Sequence, residues 1–215
     1  MADPVATGIS LKDANAGALL AVLALNVAAF YLLQKSSAIG AGDWMKLATG
    51  WLAALPAGVG VALVGILNAQ VSADMKARLV FWRWQNPLPG SQAFTRHGRN
   101  DPRVDMAALE AKHGPLPTDP KAQNALWYKM YRAVADEPAV TQAHRQFLFA
   151  RDYTFVALAI LVVLGATAFK FIHPISTAEI YALLLMVQWG LATRAANLSG
   201  HRFVSTVLAQ KGART

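Results

Sequence analysis

The chain has 215 residues, 55% of them hydrophobic and 15% charged, with a formal charge of +8 and no cysteine. A soluble domain carries roughly 25% charged residues, so this composition argues against one. The missing cysteines exclude disulfides, thiolate-ligated zinc, iron–sulfur clusters and thiol catalysis. An excess of positive charge can point to nucleic acid, but cytoplasmic segments of membrane proteins collect Lys and Arg for their own reason, and the apolar residues here fall into four blocks.

The opening stretch, 1–15, carries Asp3, Lys12 and Asp13 and lacks the positive region of a secretory signal, so the apolar block after it is expected to be retained. That block, 16–33, has no charge, and Asn26 is its one strongly polar side chain. At ~1.5 Å rise per residue it nearly crosses a ~30 Å hydrocarbon layer. A connector with Gly40 and Gly42 leads to a second uncharged block, 47–71, which Pro56 is expected to kink. Ala54, Gly58 and Ala62 form a small-xxx-small ladder on it, suited to close helix packing. No breaker stands between Val71 and Gln85. The helix is therefore expected to continue through Asp74, Lys76, Arg78 and the aromatic group Phe81, Trp82 and Trp84, stopping at Asn86-Pro87.

The polar stretch 72–152 reads as a basic helical domain. Residues 104–113 are a short amphipathic candidate that ends at Gly114-Pro115. Thr118-Asp119-Pro120 is an N-cap with proline at the first helical position. The helix it opens, through Ala135, places Ala122, Leu126, Met130 and Ala133 on an apolar stripe. Asp136-Glu137-Pro138 repeats the cap, and the pattern then runs without a breaker into the third apolar block, 153–172. A short turn at His173-Pro174 precedes the fourth block, 178–193, which contains Gln188. Residues 194–215 follow as a basic tail whose first part has an amphipathic helical pattern.

Lys and Arg set the expected orientation. Twelve lie in 72–152, four in the tail and one in the opening stretch, against Lys35, Lys46 and Lys170 in the two opposite connectors. Seventeen against three places both termini and the middle domain in the cytoplasm, with a bacterial inner membrane as the expected location. The expected fold is an all-α integral membrane protein: four transmembrane helices in two hairpins (16–71 and 153–193), with spans two and three extended into the cytoplasmic domain.

No charged side chain lies deep in any block, which argues against a pump or ion-coupled transporter. Asn26 and Gln188, with Ala54, Gly58 and Ala62, are expected to serve transmembrane packing; gathered into a ring by several copies, Asn26 or Gln188 could line an oligomeric pore. Trp82, Arg83 and Trp84 could stack a base or form an interfacial belt with anionic lipid headgroups. Trp127, Tyr128, Tyr131 and Arg132 suit a nucleotide or the core of a small helical domain. Arg96, His97, Arg99 and Arg103 make a basic loop, and His144 and Arg145 stand before the third block. Eight acids reduce the charge of 72–152 to +4, modest for a nucleic-acid surface.

No His-x-x-x-His pair, nucleophile elbow or phosphate-binding glycine loop occurs, so neither a metal nor another cofactor is expected. Arg194 and His201 have an Arg-x6-His spacing that resembles HEPN-type ribonucleases, with Ala195 where such motifs carry a polar residue. That resemblance, confined to two residues, implies a phosphate-binding and an acid group on one helix face. The leading expectation is a non-enzymatic membrane sensor, effector or adaptor, homo-oligomeric, whose basic domain binds a protein or an anionic ligand in bacterial defence or signalling. The alternatives are a membrane-bound enzyme using His97, His144 and nearby acids on a lipid or nucleic-acid substrate, and an oligomeric pore.

Overall fold

The structure is a computed structural model in which residues 13–36, 66, 68 and 70–213 are described. Among them all regular structure is helical and no strand occurs. The helices are α1 (Asp13–Ser36), α2 (Ala73–Phe81), α3 (Met106–His113), α4 (Pro120–Val134), α5 (Pro138–Ile160), α6 (Ala166–Phe171) and α7 (Ile175–Gly212). Three helical runs, Ala14–Lys35, Pro138–Phe171 and Ile175–Gly212, are long and apolar enough to cross a membrane. The expected second span, 47–71, with Ala54, Gly58 and Ala62, lies outside the described residues except at 66, 68, 70 and 71. The chain divides into two compact units, Met1–Val71 with Asp152–Ala192 and Ser72–Arg151 with Thr193–Thr215.

In the first unit, Leu23 of α1 joins Val156 and Ile160 of α5, Ala168 of α6, and Tyr181 and Leu185 of α7 in one buried cluster. The other faces are apolar too: Leu25 is 69% exposed and Leu191 64%, with Ile180, Leu183 and Leu184 similarly turned outward. At ~25 cal/mol per Å² such surface is costly in water and costs nothing in hydrocarbon, and a helix keeps its own backbone groups bonded there. These helices are therefore compatible with an integral membrane location. Three of the unit's polar side chains make internal bonds. The Tyr181 hydroxyl donates to the Asn26 carbonyl at 3.2 Å, and Gln188 Nε2 donates to the Tyr153 hydroxyl at 2.9 Å. The Asn26 side chain bonds within its own helix, to the Val22 carbonyl at 2.9 Å. Between α5 and α6 the turn Leu161–Gly165 widens to a π-helix without ending the helical run.

The second unit begins with a correction. The unbroken helix expected across 71–85 does not form, because Ser72 starts a new one: its hydroxyl accepts the Met75 N–H at 3.2 Å. Trp82 ends that helix in the left-handed region at φ 53, its N–H donating to the Arg78 carbonyl at 2.9 Å. Asp105 caps α3 by accepting from Ala108, and Asp119 caps α4 by accepting from Ala122, each at 2.9 Å. Pro120 occupies the first turn of α4, where its missing N–H costs nothing. The buried face of α4 is Gln123, Trp127, Met130 and Val134. That stripe is one residue on from the expected one: Ala122 and Ala133 are exposed and only Met130 is shared.

Around α4 the core is completed by Ala93, Phe94, Leu109, Val140, Phe147, Phe203, Val204, Val207 and Leu208. The last four belong to α7, so the segment that reads in sequence as a tail supplies core side chains.

Candidate functional site: a polar cleft and a cationic edge

After α2 the chain turns tightly, with Asn86 in the left-handed region at φ 48, a conformation Asn tolerates better than most residues. Ser91 fastens this turn. Its hydroxyl lies 2.8 Å from the Asn86 carbonyl and 2.6 Å from that of Leu88, and accepts from Arg83 Nη1 at 3.1 Å. The 3₁₀ turn Pro89–Gln92 then lies directly on α4. A Cβ at Gly90 would stand 2.6 Å from both Asn124 Oδ1 and Trp127 Cε3, so no larger residue fits. The next turn, the π-helix Ala93–His97, is bonded to α4 through Gln123. Gln123 Oε1 accepts from the N–H groups of Phe94 at 3.0 Å and Thr95 at 3.2 Å and from the Thr95 hydroxyl at 3.2 Å, while Nε2 donates to the Thr118 carbonyl at 2.8 Å.

These fastenings leave a cleft of about 450 Å³ between α2, the turn and the start of α4. Its lining includes Asp74, Arg78, Trp84, Asn86, Ser91, Lys121 and Asn124. Small-ligand pockets run from roughly 300 to 1,000 Å³, so the size suits one. Trp84 is 77% exposed, and Arg78 Nε is buried with no hydrogen-bond partner.

Beyond Ser91 lies a cationic edge. The rings of His97 and His201 stand 4.4 Å apart, and Phe81 stacks on His201 at 5.8 Å. Burial, with repulsion from His201, Arg96 and Arg83 after it, pushes His97 down to about 3, against a hydrogen bond to Pro89 that favours the charged ring. Burial and then the nearness of Arg96 also push the Arg83 guanidinium down. Among the described residues neither Arg83 nor Arg96 has a carboxylate at ion-pair distance. Arg103 differs: it forks onto Asp101 at 3.0 and 2.7 Å, and the contact holds Asp101 down at about 2.

The remaining expected residues separate into packing and surface. Trp127 is buried and stacks on Tyr131 at 5.9 Å; both meet Phe203, at 5.3 and 5.4 Å. The His144 ring lies flat on Phe203 at 4.6 Å, and its Nδ1 is 3.1 Å from the Tyr131 hydroxyl. Tyr128, Arg99, Arg132 and Arg145 are exposed, and so are Trp82, Arg103 and Arg194. His97 and His144 do not share a ring contact, and the described residues contain no cluster of three His, Asp or Glu placed to hold a metal. Sequence reading missed Ser91, Gln123 and Asn124 as the residues that build the cleft, and Asp74, Arg78, Asn86 and Lys121 as its lining. The turn signal Asn86-Pro87-Leu88-Pro89-Gly90 beside an Asp119-Pro120 cap marks the place, but nothing in a single sequence shows that the two meet.

Compared with models of protein families, with curated proteins and with solved structures, the chain matches none. Its class is therefore defined by its own features. It is an all-helical protein of the membrane type, with a separate polar helical unit that carries a small polar cleft.

Proposed function

We propose that this is a non-enzymatic multi-pass membrane sensor or adaptor whose basic unit, 72–151 with 193–215, binds an anionic ligand and passes that event to the membrane. The reading keeps four spans in two hairpins, both termini and the basic unit in the cytoplasm of a bacterial cell, anionic lipid headgroups as neighbours, and assembly as a homo-oligomer. A protein partner in a defence or signalling system would then read the bound state. The observation that carries it is the pair Arg83 and Arg96: two neighbouring guanidinium groups beside two histidines, with no carboxylate at ion-pair distance among the described residues. Like charges are held together at a cost, and an anion arriving there relieves it with charge-assisted hydrogen bonds.

The experiment is anion binding to the full chain in nanodiscs, read by isothermal titration with pyrophosphate. Neutralising Arg83 and Arg96 together to Gln should weaken binding at least tenfold. Arg103→Gln should leave it within about twofold, because Asp101 already neutralises that charge. Equal losses in both would show that only net charge matters and would remove the reading.

A further inference from the structure

We infer that the cleft of the polar unit is a binding site for a phosphate monoester that carries a planar ring, a nucleoside monophosphate in chemical class. The inference rests on the reading of the basic unit as an anion binder and adds a second site to it, lined by neither Arg83 nor Arg96.

Two of the lining side chains are cations, Arg78 and Lys121, against one carboxylate, Asp74. The net positive charge favours an anion over a neutral ligand. Arg78 Nε is buried without a hydrogen-bond partner. That atom is enclosed and out of a ligand's reach, but the Arg78 side chain is half-buried and lines the cleft, and a phosphate oxygen is the acceptor a guanidinium fork fits best. A phosphate alone would leave most of the cleft empty, since its volume of about 450 Å³ is that of a site for a larger molecule.

The rest of the lining suits a ring. Trp84 lines the cleft with 77% of its surface exposed, which leaves most of the indole open to a ring. Asn86, Asn124 and Asp74 add amide and carboxylate groups, which together donate and accept as the edge of a base requires. The carboxylate would repel a second phosphate, so a monophosphate is favoured over a diphosphate or triphosphate. Rigidity supports the same assignment. Asn124 is held against Gly90, and Ser91 is tied to Asn86, Leu88 and Arg83. The walls are thus preformed, which lowers the cost of binding.

The test is equilibrium dialysis of the full chain in nanodiscs against four probes: adenosine monophosphate, uridine monophosphate, ribose 5-phosphate and orthophosphate. The expected result is that both nucleotides bind at least tenfold more tightly than ribose 5-phosphate. Trp84→Leu should remove about a tenfold preference, as loss of one base-stacking partner does, while leaving ribose 5-phosphate unchanged. Arg78→Gln should weaken all four, and Arg78→Lys should restore part of the loss; Lys129→Gln, an exposed charge outside the cleft, serves as the control. Because Trp84 is exposed, its replacement leaves the core intact. If orthophosphate and ribose 5-phosphate bind as tightly as the nucleotides, and Trp84→Leu changes nothing, the ring assignment is wrong and the anion-binding reading stands. If no probe binds at millimolar concentration while pyrophosphate does bind through Arg83 and Arg96, the cleft is not the site. If neither binds, both readings fall.

Discussion

Replacing Gln123 with Met keeps the length of the side chain and removes all its polar contacts. In the native unit Gln123 is 1% exposed and one oxygen takes the N–H groups of Phe94 and Thr95 and the Thr95 hydroxyl. The variant leaves the Phe94 N–H buried with no acceptor, and the Thr95 N–H partly so. A buried donor without a partner costs ~1–3 kcal/mol, so two of them, one partly solvated, amount to about 2–4 kcal/mol. That is a large share of the ~5–15 kcal/mol that holds an ordinary domain. The loss should appear first where the bonds were made, in Ala93–His97, and not in α4, which keeps its cap and its apolar contacts. Hydrogen–deuterium exchange by mass spectrometry on the full chain in detergent reads this directly. The Phe94 and Thr95 amides should exchange roughly 30- to 1,000-fold faster, at about 1.4 kcal/mol per decade. Exchange within threefold of the native rate, with an unchanged unfolding temperature, would show that the turn is held by something other than Gln123.

Gly200 offers a steric test of the same unit: an added Cβ would stand 2.6 Å from Phe81 Cζ and 3.0 Å from Phe147 Cε2. Gly200→Val should destabilise by about 1–3 kcal/mol through overpacking, seen as a lower thermal midpoint, and an unchanged midpoint would mean that the two rings move freely aside. His97 gives a pH dependence. Its folded value of about 3 lies below the ordinary 6.5, so the folded unit favours the neutral ring. Stability is then complete above about pH 6.5 and falls as the pH drops toward 3, by at most about 2 kcal/mol between pH 6.5 and 5. His97→Phe should flatten that slope, and a slope retained in the variant would assign it to other groups.

How much of this was legible in the sequence depends on the kind of signal. The apolar blocks 16–33, 153–172 and 178–193 are visible because a membrane-length helix has to be apolar over most of its surface, and they fall on the longer helical runs Ala14–Lys35, Pro138–Phe171 and Ile175–Gly212. Both proline-linked helix starts in the middle stretch, at Pro120 and Pro138, were readable because proline acts within the first turn, joined at Asp119 by a side-chain cap. The cap at Ser72 was missed because a lone serine inside a helical pattern is ambiguous until its hydroxyl is seen to accept from Met75. The stripe of α4 was misplaced by one residue because Gln123 counts as polar. Its burial follows from three donors on a segment nearly thirty residues away, which no local period records. The aromatic residues of α4 were readable as a core, yet the core partners Phe203, Val204 and Val207 lie in a segment that reads as a tail.

The histidines decide where chemistry is to be sought. An enzyme of the kind the sequence allowed would need His97 or His144 near a reacting group and ready to exchange a proton at neutral pH. Instead His144 lies flat on Phe203 and bonds Tyr131, while His97 is 5% exposed, in contact with His201, and held far below the range in which a general base works. Both rings are used as packing, and a neutral imidazole serves that role better than a charged one. His201 sits between Phe81 and His97, which leaves the Arg-x6-His pair with an exposed Arg194 and a histidine engaged in ring contacts. Among the described residues Arg83 and Arg96 have no carboxylate at ion-pair distance, and Arg78 lines the cleft. On the reading proposed above, these cations serve a ligand and not a reaction. If full activity in cells survived His97→Phe and His144→Phe but was lost on neutralising Arg78, the unit would act by binding; the opposite pattern would return the protein to the enzymes.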